Sequence, residues 1–143
     1  MFKILSNRLF GNRGSTVTNT ILVVDDTETD RLFAQRVLEK KGYKIILASN
    51  GQMGIEMAKL HIPDLILLDF MMPDLNGPEV CKALKSNPKT ENIPVIFLTS
   101  LETPSSVVDS FEKGADIFLN KPINANKLVA QISLTLNQKE NIS

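Results

Sequence analysis

The stretch Leu65-Ile66-Leu67-Leu68-Asp69 decides the fold of this chain, because four large apolar residues run directly into a carboxylate. A continuous apolar run of this length is typical of a strand buried on both faces, as in a parallel sheet. A loop begins at once with Phe70-Met71-Met72-Pro73. Open α/β sheets bind ligands beyond the carboxyl ends of their strands. The position of Asp69 therefore predicts a functional carboxylate.

Short apolar runs and helical patterns alternate along the rest of the chain. We predict five strands, at residues 21–24, 44–48, 65–69, 94–98 and 117–119. Between and after them we predict five helices, at about residues 28–41, 51–60, 78–86, 103–113 and 124–136. This alternation predicts an α/β fold, a doubly wound five-stranded parallel sheet in a three-layer αβα arrangement with right-handed crossovers.

Local signals mark the ends of some of these elements. Thr27 and Thr29 are N-cap candidates for the first helix, and Asp30 lies near its start, where an acid is favoured. The same helix should end at Lys40-Lys41-Gly42. The segment 73–78, which includes Gly77, is dense in turn formers.

Composition indicates one domain without covalent cross-links. The chain has 143 residues, a formal net charge of zero and one cysteine, Cys81. Zero net charge gives no reason to expect direct DNA binding, and one cysteine fits a reducing compartment. No apolar run approaches the roughly 20 residues that cross a bilayer. We therefore expect no transmembrane segment and a cytoplasmic protein.

The predicted domain covers residues 20–137, followed by a C-terminal tail at 138–143. Residues 1–19 form a predicted N-terminal extension that ends in a glycine-containing joint around Gly11 and Gly14. One interpretation is a flexible end, as termini often are. The other is a short amphipathic helix that docks on a partner or a membrane surface. Its apolar face would carry Phe2, Ile4, Leu5, Leu9 and Phe10.

Polar groups stand at the carboxyl ends of four predicted strands. These groups are Asp25-Asp26, Asp69, Thr99-Ser100 and Lys121. In a parallel sheet such ends meet at one edge, and two carboxylates about 4 Å apart repel by roughly 4 kcal/mol at an effective dielectric near 20. Either their pKa values rise or a cation joins them, and oxygen ligands select a hard cation such as Mg²⁺. A cation, a lysine and a hydroxyl together suit a phosphoryl group.

Each of these residues has a simpler explanation when it is taken alone. Asp25 and Asp26 would serve as helix N-caps, Thr99 as a turn residue and Lys121 as a surface residue. Their shared position at strand ends favours a common site. Two other residues receive no functional assignment: His61 is interpreted as a solvated helix end and Cys81 as a small apolar side chain in the core.

Four motifs together resemble the response-regulator receiver domain of two-component phosphorelays, as in chemotaxis receivers. They are ILVVDD (21–26), LILLDFMMPDLNG (65–77), VIFLTS (95–100) and GADIFLNKPI (114–123). The resemblance covers about residues 20–136. It implies a flavodoxin-like (βα)5 fold with the strand order 2-1-3-4-5.

The resemblance also implies a role for each matching residue. Asp69 would be the phosphoacceptor, and Mg²⁺ (or Mn²⁺) would be held by the side chains of Asp26 and Asp69 and by the backbone carbonyl of Met71. Asp25 would act mainly through a bound water. Lys121 would pair first with Asp69 and later with the phosphoryl oxygens.

The switch from the resting to the phosphorylated state is implied in the same way. Thr99 would move to bond the phosphoryl group, and Phe118 would be the aromatic residue that swings inward when Thr99 moves. The Lys121-Pro122 bond matches a cis peptide of the family, a form that costs little before proline.

The function implied by the resemblance is a stand-alone response regulator. It would accept its phosphoryl group from a histidine kinase or a histidine phosphotransfer protein. It is not expected to be an enzyme, although it would assist its own phosphorylation and dephosphorylation. An unidentified output protein would bind the face formed by the predicted fourth helix (Val107), fifth strand (Phe118) and fifth helix (Leu128). We expect no output domain after the last helix, and the resemblance is compatible with either a monomer or a homodimer.

Three other functions fit the sequence less well. An Asp-nucleophile phosphatase needs an Asp-x-Asp pair after the first strand, whereas Asp25 and Asp26 are adjacent. A flavin or nucleotide binder should have a phosphate-binding loop there, where these acids would repel the ligand. The remaining alternative is a receiver-like interaction module that works without phosphorylation. The complete set of acids, hydroxyl and lysine argues against it.

Overall fold

Five parallel strands form the centre of the fold. The computed structural model of this chain describes residues 18–100 and 117–142. The strands are β1 (Thr20–Val24), β2 (Lys44–Ala48), β3 (Leu65–Asp69), β4 (Val95–Thr99) and β5 (Ile117–Asn120). They pair in parallel in the order β2-β1-β3-β4-β5. The doubly wound parallel sheet and its strand order are thereby confirmed.

Helices cover both faces of this sheet. The described helices are α1 (Glu28–Lys40), α2 (Gly51–His61), α3 (Gly77–Lys85) and a C-terminal helix (Ala125–Ile142). None of them is long and apolar enough to cross a bilayer. The helix predicted at 103–113, and nearly all of the predicted N-terminal extension, lie outside the described residues.

The C-terminal helix is longer than the sequence analysis expected. It continues to Ile142, through most of the residues 138–143 that were assigned to a polar tail. The residues after Asn137 include Gln138, Lys139 and Glu140, which are good helix formers, and no proline or glycine stops the helix. Polarity alone did not mark the end of this helix.

The central strand β3 contributes to both hydrophobic layers. Its four apolar residues, Leu65 to Leu68, are completely buried. Leu65 and Leu67 belong to the layer that includes residues of α1 and the C-terminal helix, whereas Ile66 and Leu68 belong to the layer with α2 and α3. Side chains alternate between the faces of a strand, so the uninterrupted apolar run follows from burial on both sides. This confirms the interpretation of the opening stretch.

The start of α1 is held differently from the expectation. Thr27 occupies the N-cap position, but its side chain makes no capping hydrogen bond. Instead, the backbone N–H of Thr27 donates to Oδ1 of Asp25 at 2.9 Å. A side-chain oxygen of Asp25, a member of the strand-end cluster, therefore accepts a hydrogen bond at the start of α1. At the other end, Lys41 and Gly42 terminate α1 as predicted, and Gly42 adopts a φ of 94°.

The loop between β3 and α3 makes hydrogen bonds at the starts of α2 and α3. The Asp74 carboxylate accepts hydrogen bonds from the N–H groups of Gly51 and Gln52 at 3.0 and 2.9 Å, at the start of α2. These bonds, that of Gln52 first, lower the pKa of Asp74. Asn76 and Glu79 form a capping box at the start of α3. The loop that carries Met71 is thus anchored to two helices.

Candidate functional site

Three carboxylates meet where β1 and β3 end. These strands are neighbours, with Val24 paired to Leu68, so the residues that follow them converge. One oxygen each from Asp25, Asp26 and Asp69 lies within 4.8 Å of the other two. Asp25 and Asp69 are buried and Asp26 is exposed. The sheet therefore brings together the three acids that the sequence analysis singled out.

Lys121 reaches this cluster from the end of β5. Its ammonium nitrogen lies 3.0 Å from Oδ2 of Asp25 and 3.4 Å from Oδ2 of Asp69. A third carboxylate, Asp30 in the first turn of α1, lies 3.0 Å from the same nitrogen. A lysine ammonium has three donors, so each carboxylate can be matched by one of them. The lysine side chain is 13% exposed, which leaves its charge close to the acids and largely out of water.

The backbone between β4 and β5 positions this lysine. The N–H of Lys121 donates to the carbonyl oxygen of Thr99 at 2.6 Å, and the Lys121–Pro122 peptide bond is cis. Thr99 is buried, and its hydroxyl donates to Oδ1 of Asn120 at 3.0 Å. Thr99 and Lys121 are thus linked through the last residues of two paired strands.

Phe118 points toward the core in this structure. Its ring stacks on Phe97, with centroids 5.3 Å apart and an interplanar angle of 21°. It also lies against Phe70, at 5.8 Å between centroids. Phe70 directly follows Asp69, so aromatic contacts connect β5 with the loop at the candidate phosphoacceptor. Phe118 is therefore already inward while the Thr99 hydroxyl is bonded to Asn120, whereas the resemblance implied that it swings inward when Thr99 moves.

Met71, in the loop after β3, and Gly77, the first residue of α3, lie close to Asp69. The N–H of Met71 lies 3.4 Å from Oδ1 of Asp69, and the Met71 side chain is exposed. The N–H of Gly77 donates to the carbonyl oxygen of Phe70 at 2.8 Å. A Cβ at Gly77 would lie 3.0 Å from the carbonyl oxygen of Asp69. Gly77, interpreted from sequence only as a turn former, is therefore needed for this close approach.

Burial and charge shift the pKa values of Asp69 and Lys121. Burial first, and then the negative charge of Asp25, raise the pKa of Asp69 to about 7, although Lys121 opposes this. Burial would lower the pKa of Lys121, but its contacts with Asp30 and Asp25 raise it above the usual value. Lys121 therefore stays charged at neutral pH.

The oxygens of this cluster fit a divalent cation. Oδ2 of Asp25 is fully buried and accepts no hydrogen bond of good geometry within the described residues, although Lys121 lies 3.0 Å away. Three carboxylates outnumber the single ammonium that faces them. An all-oxygen donor set with excess negative charge is typical of a Mg²⁺ or Mn²⁺ site. Asp26, which is exposed, and Asp69 are positioned to hold such an ion.

The raised pKa of Asp69 predicts a pH-dependent stability of the metal-free protein. Its folded-state pKa of about 7 lies above the usual 3.8, so the protonated carboxyl favours the folded state. This stabilisation is complete below about pH 4 and is lost as the pH rises through 7. Because solvent that reaches the site reduces both the burial penalty and the repulsion by Asp25, we expect a loss of about 1–2 kcal/mol. Urea unfolding with a chelator at several pH values measures it.

The control for this pH dependence is Asp69→Asn. That variant keeps a similar shape but has no carboxyl to titrate, so its unfolding free energy should lack the decrease assigned to Asp69. An identical decrease in the variant and the parent would show that other groups cause it.

Sequence reasoning missed three residues that contact the cluster. Asp30 was assigned only to the helix start, yet it pairs with Lys121. Arg31 donates from Nη1 to the carbonyl oxygen of Asp25 at 2.7 Å, and Asn120 binds the Thr99 hydroxyl. The available signal was position, because Asp30 stands one helical turn after Asp26. The structural interpretations of His61 and Cys81 are confirmed. His61 is exposed at the end of α2, and Cys81 is buried on α3.

Comparison with known proteins gives a consistent result. The family profile described as "Response regulator receiver domain" matches residues 21–133. Response regulator PleD of Caulobacter vibrioides is 40% identical over 116 residues, which cover 80% of this chain but only 26% of PleD. Protein PilH of Pseudomonas aeruginosa is 34% identical over 81% of this chain and 96% of PilH.

A solved structure shows the same fold. It is the signal receiver domain of a signal transduction histidine kinase from Syntrophus aciditrophicus, which superposes with a TM-score of 0.76. It is 36% identical and covers 85% of this chain and 92% of that one. Similarity therefore extends across the strands and loops that build the carboxylate cluster.

Proposed function

Because this chain belongs to the response regulator receiver domain family, we propose that Asp69 accepts a phosphoryl group from a phosphohistidine. The donor would be a histidine kinase or a histidine phosphotransfer protein. The observation that carries this proposal is the contact of one partly buried lysine with Asp25 and Asp69 beside the exposed Asp26. The proposed nucleophile, the lysine ammonium and the acids that would hold a metal ion therefore lie together at the carboxyl edge of the sheet.

Each residue has a defined task in this proposal. An oxygen of Asp69 would attack phosphorus as the bond from phosphorus to the histidine nitrogen breaks, and the nitrogen would keep the electron pair. The side chains of Asp26 and Asp69 and the backbone carbonyl of Met71 would hold Mg²⁺, and Asp25 would act through a water. The bound ion would neutralise charge on the transferring phosphoryl oxygens. Lys121 exchanges its contact with Asp69 for a phosphoryl oxygen.

The proposed output is a change of binding surface. The Thr99 hydroxyl leaves Asn120 and bonds the phosphoryl group, and the inward Phe118 ring fills the space behind it. Phe118 and Leu128 belong to β5 and the C-terminal helix, and the output protein would bind on that face. The domain would act in the cytoplasm and signal through protein binding.

Phosphorylation by a small donor tests this proposal. Incubation with acetyl phosphate and Mg²⁺ should add one phosphoryl group to the intact mass of the wild-type chain. Asp69→Asn should gain none, because an amide is a poor nucleophile. Replacing Mg²⁺ with a chelator should also prevent the gain.

Asp74→Asn is the matched control. It makes the same chemical change in the loop after β3, at a carboxylate that binds the start of α2. It should still be phosphorylated. Equal mass gain in Asp69→Asn and wild type would contradict the proposed acceptor.

A further inference from the structure

We propose that Asp30 is a specificity-determining residue that favours phosphoryl donors with a positively charged leaving group over fully anionic donors. The inference rests on the proposed phosphorylation of Asp69. It concerns a residue that belongs to none of the four motifs quoted above. It predicts which chemical class of donor the site selects.

The position of Asp30 carries the first step of this argument. Its Oδ2 and that of Asp69 both lie within 3.4 Å of the Lys121 ammonium nitrogen, so they are less than about 7 Å apart, a distance at which charges still interact strongly. The Asp30 side chain is 31% exposed, compared with 9% for Asp69 and zero for Asp25. Asp30 is therefore the acid of this lysine network that lies nearest to solvent.

The charge balance supplies the second step. Three carboxylates (Asp25, Asp30 and Asp69) contact the Lys121 ammonium, and a fourth, Asp26, lies beside two of them. A divalent ion would still leave an excess of one negative charge. Lys121 is shared among three of these acids. Because Asp30 lies outside the group of three acids placed to hold the ion, its charge is the one that the ion would not neutralise directly. It repels an incoming anion and attracts a cation.

The transfer step shows why the leaving group matters. A bond forms between an Asp69 oxygen and phosphorus as the bond from phosphorus to the donor atom breaks, and the donor atom keeps the electron pair. In phosphoramidate that atom is an ammonium nitrogen that departs as ammonia with its protons. In a protonated phosphohistidine it is an imidazole nitrogen. In acetyl phosphate it is an oxygen that departs as acetate, an anion that Asp30 disfavours.

Two small donors with different charges test the inference. Rates of Asp69 phosphorylation by acetyl phosphate and by phosphoramidate are measured at the same neutral pH and Mg²⁺ concentration, from intact-mass time courses. Asp30→Asn should raise the ratio of the acetyl phosphate rate to the phosphoramidate rate by about three- to tenfold, the size expected for one charge at this distance. Asp30→Glu, which restores the charge, should return the ratio toward wild type.

Glu28→Gln is the matched control. Glu28 is an exposed acid in the same first turn of α1, and its replacement changes the net charge equally. Its ratio should stay within about twofold of wild type, because exposed charges are strongly screened.

Several results would overturn the inference. One is an unchanged ratio in Asp30→Asn. Another is an equal change of both rates, which would indicate a merely structural role. An equal effect of Glu28→Gln would indicate bulk charge. If wild type reacts with neither donor, the proposed function itself fails, and the inference fails with it.

Discussion

Replacing Lys121 with methionine should lower the unfolding free energy of the metal-free domain by about 3–5 kcal/mol. Removing one member of a buried ion pair leaves its partners uncompensated, and such losses are of this size. Here Asp25 is completely buried, and its Oδ2 has the Lys121 ammonium 3.0 Å away as its counter-charge. Methionine keeps much of the apolar stem of lysine, so the decrease in unfolding free energy reflects the loss of the charge rather than a loss of packing. Urea unfolding in a chelator at about pH 8 measures it.

Two comparisons separate charge from packing in this experiment. Lys127→Met removes an exposed lysine near the start of the C-terminal helix, and it should change stability by less than about 0.5 kcal/mol. Adding Asp25→Asn to the Lys121→Met variant should restore much of the loss, because it removes the buried uncompensated charge. Mg²⁺ should also restore stability. A Lys121→Met variant as stable as Lys127→Met would contradict the electrostatic role of Lys121.

Asp26→Asn should weaken Mg²⁺ binding by about 10–100-fold or more. Asp26 is the exposed acid of the cluster, and the loss of an anionic ligand should cost at least as much as the loss of an outer-shell partner. Titration calorimetry of wild type and variant measures the affinity. The Mg²⁺-dependent rise in unfolding midpoint gives a second measurement.

The control for Mg²⁺ binding is again Glu28→Gln, which removes an exposed acid outside the cluster. Its affinity should remain within about twofold of wild type. The metal-free Asp26→Asn protein should be no less stable than wild type, since one repelling charge is gone. Unchanged Mg²⁺ affinity in Asp26→Asn would exclude Asp26 as a ligand.

The sheet and the strand-end cluster were predictable because they follow from topology. The apolar run before Asp69 required a strand buried on both faces, and parallel pairing then brought Asp25, Asp26 and Lys121 to the same edge. These conclusions need only strand direction and residue position. They do not depend on side-chain conformations, which explains why they hold in the structure.

Contacts set by helix placement were not predictable in the same way. Whether Asp30 reaches Lys121 depends on how the first turn of α1 is oriented over the sheet, and spacing alone does not fix this. The replacement of the Thr27 side-chain cap by Asp25 has the same origin, as does the close approach of Gly77 to Asp69. In each case the local residue type was recognised, but its long-range partner was not.

The central claim is that Asp26 and Asp69 share one divalent ion beside Lys121. The most direct measurement is the anomalous signal of Mn²⁺ in crystals of the wild-type chain. We expect one peak about 2.0–2.3 Å from an oxygen of each of these two carboxylates, and none at this position in Asp26→Asn crystals grown the same way. No peak between Asp26 and Asp69 at saturating Mn²⁺, or an ion held without either of them, would contradict it.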